Sequence, residues 1–357
     1  MLLWFVKLEI RCTRKGTVGS NPTLSAIKKT ADCCRRFFVY VSDAEAAQRL
    51  SAELYRDRQH PACDPAGGLS ALWKLRGCVR SARQKEGNSM NEKMTQDQRL
   101  TELVEAFKTD SGEYQDIETP KDIDSKRRLL RSLMNVRMPR RMSPETLQVQ
   151  DAYLQERAQE KGVVSLEDIP IKEGVLSVWQ GDITRLAVDA IVNAANSQML
   201  GCFVPMHTCI DNCIHTFAGV QLRAECNRQM NRLRMKYGHD YEQPTAVPML
   251  TDGYNLPAKK IIHIVGPIVS GALTPALEQE LADCYTNTLN LCAENSLRSA
   301  AFCCISTGVF HFPPERAAQI AVKTVRQWLE AHDGAMDRVI FNVFTDKDRS
   351  IYEHLFQ

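Results

Sequence analysis

Apolar positions follow two different rhythms along this chain. From Leu100 to Leu154 they recur three and four residues apart, the spacing of one helix face. From Val175 onward, short continuous apolar runs alternate with helical stretches. In the first region, Leu100, Leu103, Val104 and Phe107 predict one helix. Thr119-Pro120 interrupts it, and Ile123, Leu129, Leu130, Leu133 and Met134 predict a second, rich in Arg and Lys. Ser143 as N-cap, with Pro144 at the first helical position, predicts a third through Leu154 and Arg157. Residues 90–173 therefore form a helical extension with no obvious chemistry. Its basic run Lys126-Arg-Arg128 reads as a solvated helix face.

In residues 174–357 strands are expected at 175–179, 190–192, 246–251, 260–265, 299–306 and 338–344. Helices are expected from about residue 212 to 230, then at 275–295, 314–332 and 347–356. The run 299–306, with Cys303 and Cys304 inside it, suits a strand buried on both faces. Such alternation implies α/β architecture, with helices on both faces of a mixed sheet. Ligands of such folds sit at the carboxyl ends of the strands. Three unusual loops fall at such ends: Asn193-Ala-Ala-Asn196, the stretch 201–215, and Ser306-Thr-Gly-Val-Phe310.

Composition separates residues 1–89 from the rest. They hold sixteen Lys or Arg against eight Asp or Glu in a chain of net charge +2, and no sustained period runs through them. Little aromatic interleaving accompanies this charge, so a nucleic-acid arm is not indicated. The stretch 14–26 resembles a bacterial tRNA gene read as if it were coding, so Met90 or Met94 is the expected start. A disordered extension and a small domain are the other readings. No apolar run approaches the ~20 residues of a membrane span. Met1–Val6 is apolar but stopped by Lys7 and Glu9, too short for a secretory signal. Thirteen Cys without such a signal point to reduced thiols and a cytoplasmic protein.

The chemistry concentrates in residues 201–215. Cys202, His207 and Cys209 lie within eight residues, with Asp211 just behind. Thiolate and imidazole suit zinc, and a set of two Cys and one His leaves a fourth position open. Two buried thiols and a loop histidine would show the same spacing. Cys213 and His215 are rival ligands that read better as core residues. Asp211 is also placed to cap the helix that follows.

Gly181-Asp-Ile-Thr184, Asn193-Ala-Ala-Asn196, Asp211 with Ile214-His215 and Ala218-Gly219, Gly253-Tyr-Asn-Leu-Pro257, His263-Ile-Val-Gly-Pro267 and Ser306-Thr-Gly-Val-Phe310 occur in this order. Together they resemble a macrodomain, the ADP-ribose-binding fold. The usual glycine run between the Asn loop and the Asp is replaced here by residues 202–209. That departure resembles the zinc-dependent macrodomains, the sirtuin-linked protein-ADP-ribose hydrolases of bacteria and fungi, which also carry a helical N-terminal extension.

The resemblance implies a three-layer α-β-α fold with a mixed central sheet over 174–357. It implies one Zn2+ per chain on Cys202, His207 and Cys209, either activating water or polarising a ribose oxygen. Asp211 and Asn196 would act at the distal ribose. Asp182 and Ile183 would receive the adenine, Ser306, Thr307, Gly308 and Val309 the diphosphate, and Phe310 would pack on the distal ribose. The substrate would be a mono-ADP-ribosylated protein, including a lipoyl-carrier protein, with a functional link to a sirtuin-type ADP-ribosyltransferase. A monomer with no nucleic-acid or membrane partner is expected. The alternative is a reader that binds ADP-ribose without cleaving it.

Overall fold

A computed structural model of the chain describes residues 94–357; the readings of residues 1–89 lie outside the described residues. The extension forms the three expected helices: α1 (Gln96–Ser111), α2 (Ile123–Val136) and α3 (Pro144–Lys161). Each has a side-chain N-cap. Thr95 and Gln98 form a reciprocal capping box on α1, Asp122 caps α2, and Ser143 caps α3 with Pro144 behind it. Such caps contribute about 1 kcal/mol each. Leu100, Leu103, Val104, Phe107, Leu129, Leu130, Leu133, Met134, Val149, Tyr153 and Leu154 pack into one core, closed by Val220 from the second region. The basic run of α2 is not a uniformly solvated face. Lys126 is 8% exposed, and its ammonium bonds Asp97 at 2.9 Å and Thr101 at 3.0 Å on α1.

The second region is an α/β unit. Its strands are β1 (Ile171–Glu173), β2 (Leu176–Gln180), β3 (Ala190–Ala194), β4 (Met249–Asp252), β5 (Lys260–Ile264), β6 (Ser299–Phe302) and β7 (Arg338–Val343). They form one sheet in the order β1-β2-β7-β6-β3-β5-β4. The five inner strands are parallel; the edges β1 and β4 are antiparallel. Successive residues of a strand point to opposite faces. Val339–Val343 and Ile261–Ile264 are buried without a gap, so both faces are covered. The covering helices are α4 (Ile210–Ala218), α5 (Val220–Tyr237), α6 (Pro275–Glu294), α7 (Pro314–Ala331) and α8 (Asp346–His354). This is the expected three-layer arrangement with a mixed sheet.

Three expected elements differ, and one strand was not expected. The single helix over 212–230 is two, divided at Gly219, whose φ of 96° and ψ of 171° leave the helical region. An added Cβ there would also strike Gln150, Gln221 and Asn255 side chains, so the break is built in. The strand over 246–251 is confined to β4, because Ala246 is left-handed at φ 60° and Pro248 lacks a ladder N–H. The strand over 299–306 stops at Phe302. The Cys304 carbonyl is taken by a turn at Thr307, and Ser306 is left-handed at φ 65°. The edge strand β1 was not foreseen; it has three exposed residues, of which only Ile171 is apolar, too short a run to show a period.

Candidate active site

Four inner strands deliver the candidate residues, all from their carboxyl ends. After β2, Asp182 caps a short turn, accepting from Thr184 N at 3.0 Å and from its hydroxyl at 2.6 Å. Its second oxygen pairs with Lys161 Nζ at 2.6 Å, at the last residue of α3. Burial alone would raise the Asp182 carboxyl. The Lys161 charge and the Thr184 bonds outweigh it and hold the carboxyl below the usual carboxylate range. Ile183 behind it is buried. Sheet register puts Gln180 opposite Val343, so Phe344 lies beside the Gly181-Asp182 turn. Phe344 is 75% exposed at the end of β7, a large aromatic face left bare.

After β6 the chain turns through 306–310. The N–H groups of Gly308, Val309 and Phe310 find no acceptor among the described residues. A Cβ on Gly308 would meet nothing within 4 Å, so protein packing does not account for a glycine there. Successive amides of this kind make an anion-binding concavity. The loop rests against Gly266, just beyond β5, where an added Cβ would collide with Ser306 Oγ and Ile305. Gly266→Ala is expected to cost about 1–3 kcal/mol through this overpacking, read as a fall in melting temperature.

After β3, Asn193 and Asn196 converge on Asp211. Asn193 Nδ2 donates to Asp211 Oδ1 at 2.8 Å and lies 3.0 Å from His263 Nδ1. Asn196 Nδ2 reaches Asp211 Oδ2 at 3.4 Å and the Gly201 carbonyl at 3.3 Å. Asp211 is 5% exposed, and burial pushes its carboxyl up to about 7. His215 Nε2 stands 3.6 Å from Asp211, but burial drives that imidazole well below its usual range, so the pair is not ionic. Asp211 lies in the first turn of α4; the cap itself is Cys209, whose Sγ accepts from Asn212 N at 3.4 Å.

The ligand atoms of Cys202, His207 and Cys209 all lie within 4.8 Å of one another, and the three residues are half-buried. A Cys209 donor held against Cys202 lowers the Cys202 thiol and raises that of Cys209. Tetrahedral bonds of about 2.3 Å to sulfur and about 2.0 Å to nitrogen would place such atoms about 3.5 Å apart. Cys202 Sγ and His207 Nδ1 are 3.5 Å apart. The residues therefore fit zinc, as a set of three ligands. Neither rival joins them. Cys213 Sγ turns to Arg131 at 3.5 Å, and His215 belongs to a separate buried group with Cys226 and His263.

Several side chains around this site were not foreseen. Lys161 packs over the Phe217 ring at 3.5 Å besides pairing with Asp182. Arg131 and Asn135 of α2 bond the 202–209 loop, as does Asn212 of α4, and Arg223 of α5 stacks on Phe203 at 4.2 Å. The one available signal was the i,i+4 spacing of Arg131 and Asn135 along one side of α2.

Comparison with known proteins gives the chain's relatives. A Macro domain family model matches residues 192–321. A protein-ADP-ribose hydrolase of Treponema medium is 50% identical over 266 residues, covering 73% of this chain and 99% of the relative. One from Staphylococcus aureus (strain MRSA252) is 44% identical over 260 residues, covering 72% and 95%. Among solved structures, a Trypanosoma brucei macrodomain in complex with ADP-ribose aligns at 28% identity and a TM-score of 0.49. It covers 64% of this chain and 95% of that one.

Proposed function

The chain belongs to the macrodomain family, with protein-ADP-ribose hydrolases among its relatives, and from that premise we propose that it is a zinc-dependent hydrolase removing ADP-ribose from mono-ADP-ribosylated proteins. The observation that carries the zinc reading is the cluster of three soft ligand atoms within 4.8 Å, set immediately before Asp211.

In this reading Asp182 accepts from the adenine amino group, and the bare Phe344 ring supplies an apolar face for the base. The free amides of Gly308, Val309 and Phe310 hold the diphosphate, whose negative charge suits unpaired N–H donors. Ser306 and Thr307 shape that turn, and Phe310 packs on the distal ribose. Asn196 and Asp211 orient the ribose hydroxyls. Asn193 holds the Asp211 carboxyl from behind at 2.8 Å. Cys202, His207 and Cys209 would hold the zinc, which when bound would supply a Lewis acid for the reaction. Water adds to the anomeric carbon as the bond to the protein breaks, and its proton leaves with the protein side chain. A lipoyl-carrier substrate and a sirtuin-type partner enzyme remain part of the proposal through the family resemblance. No helix among the described residues is long and apolar enough to cross a membrane.

The purified chain, given a mono-ADP-ribosylated protein, is expected to release free ADP-ribose and to contain about one zinc. Binding of ADP-ribose with no turnover on any modified protein would make it a reader instead.

A further inference from the structure

The 202–209 loop does not hold itself in shape. Met206 is left-handed at φ 59°, a region that residues with side chains avoid. Its internal support is a turn from His207 N to Val204 O at 3.2 Å and the approach of Cys202 Sγ to His207 Nδ1 at 3.5 Å. The remaining anchors come from outside. Arg131 of α2 donates to the His207 carbonyl at 2.7 Å and to Asn212 Oδ1 at 3.0 Å. Asn212 in turn donates to Val204 O at 2.9 Å and Cys202 O at 3.4 Å, while its backbone N–H meets Cys209 Sγ at 3.4 Å. Asn135, one helical turn beyond Arg131, accepts from Met206 N at 3.1 Å and donates to Thr216 at 2.8 Å. Arg223 closes the set. It is 5% exposed, takes the carbonyls of Met134, Asn135 and Arg137 at 2.6–3.2 Å, and stacks on Phe203.

We infer that the helical extension is part of the metal site. Arg131 and Asn135 are positioning residues that fix the backbone on either side of His207, and so fix the distance between the imidazole and the two sulfurs. This rests on the zinc reading above. Arg131 reaches all three ligand segments: His207 directly, and Cys202 and Cys209 through Asn212. Neither residue comes from the macrodomain proper, so the anchors of Met206 N and the His207 carbonyl are present only when α2 is docked. Groups that orient metal ligands typically change metal affinity or activity by about 10–100-fold when removed.

The test uses the full chain carrying Arg131→Ala, Asn135→Ala or Arg131→Lys. Zinc retention against a chelator series, turnover, ADP-ribose binding and melting temperature are measured on each. Arg131→Ala and Asn135→Ala are expected to lose zinc at roughly tenfold lower chelator, with kcat falling and ADP-ribose affinity unchanged. Arg131→Lys, which keeps a cationic donor for the His207 carbonyl, is expected to recover part of both. Unchanged zinc retention in the alanine variants overturns the inference. So does parallel loss of zinc, ADP-ribose binding and melting temperature with no recovery by lysine, because that marks general packing. If the unaltered chain holds no zinc, the zinc reading is what fails. The metal-site part of the inference falls with it, and amide exchange at Met206 and His207 then decides whether α2 positions the loop: acceleration in Asn135→Ala sustains that positioning, and invariance overturns it.

Discussion

Cys202→Ala or His207→Ala is expected to abolish release of ADP-ribose from a modified protein while leaving ADP-ribose binding largely intact. A Lewis acid at the scissile bond is worth several kcal/mol, and each 1.36 kcal/mol is about tenfold in rate, so turnover should fall at least about a hundredfold. The fold should survive the change. None of the three ligands belongs to the main hydrophobic core, which is built from the sheet and the helices on it. The amides of 308–310 and the Asp182 carboxyl are untouched. Metal analysis, calorimetry with ADP-ribose and a turnover assay on the same samples separate the readings. Zinc lost together with binding and melting temperature would make the metal a structural staple. A zinc-free chain that hydrolyses at the unaltered rate would move the chemistry to Asp211 and a water held by the substrate.

Asp182→Ala is expected to weaken ADP-ribose binding roughly ten- to a hundredfold, the worth of a charge-assisted hydrogen bond at about 1.5–3 kcal/mol. The structure strengthens this expectation, since Lys161 at 2.6 Å keeps the carboxyl ionised and its position is fixed by Thr184. The substitution also leaves Lys161 without its counter-charge beside the adenine position, which penalises binding further. Calorimetry is the measurement, with AMP as a control that keeps the base but lacks the second phosphate and distal ribose. Equal affinity of the alanine variant would mean that the base sits elsewhere.

The alternation of runs and helical periods was enough to read the α/β layers, because strands buried on both faces leave continuous apolar stretches such as 300–305. It was not enough for boundaries. Those were decided by single backbone events, left-handed Ala246 and Ser306 and the break at Gly219, to which hydrophobic spacing is blind. The clustering of Cys202, His207 and Cys209 was legible because all three lie within eight residues. Arg131 and Asn135 were not, since they act across a separation of more than 70 residues on a helix whose period reports only its own core. Phe344 was read as the tail of a strand; its exposure comes from sheet register, which no local pattern carries.

The order of the inner strands has a metrical consequence. The turn bearing Asp182 follows β2, the free amides follow β6, and Asn196 with the metal loop follows β3, while the sheet runs β2-β7-β6-β3. Neighbouring strands lie about 4.7–4.9 Å apart, so β2 and β3 are separated by three such steps, about 14 Å, with the amides two steps along. The sheet edge thus acts as a ruler laid under the ligand. Its divisions are set by backbone hydrogen bonding and cannot be stretched by a side-chain change. A base anchored at one end would bring a sugar to the Cys202, His207 and Cys209 cluster only if the linker between them spans the intervening marks. Discrimination among nucleotides would then be by length before it is by recognition of any group, and a shortened or lengthened phosphate linker would leave every contact residue in place yet put the reacting carbon out of register.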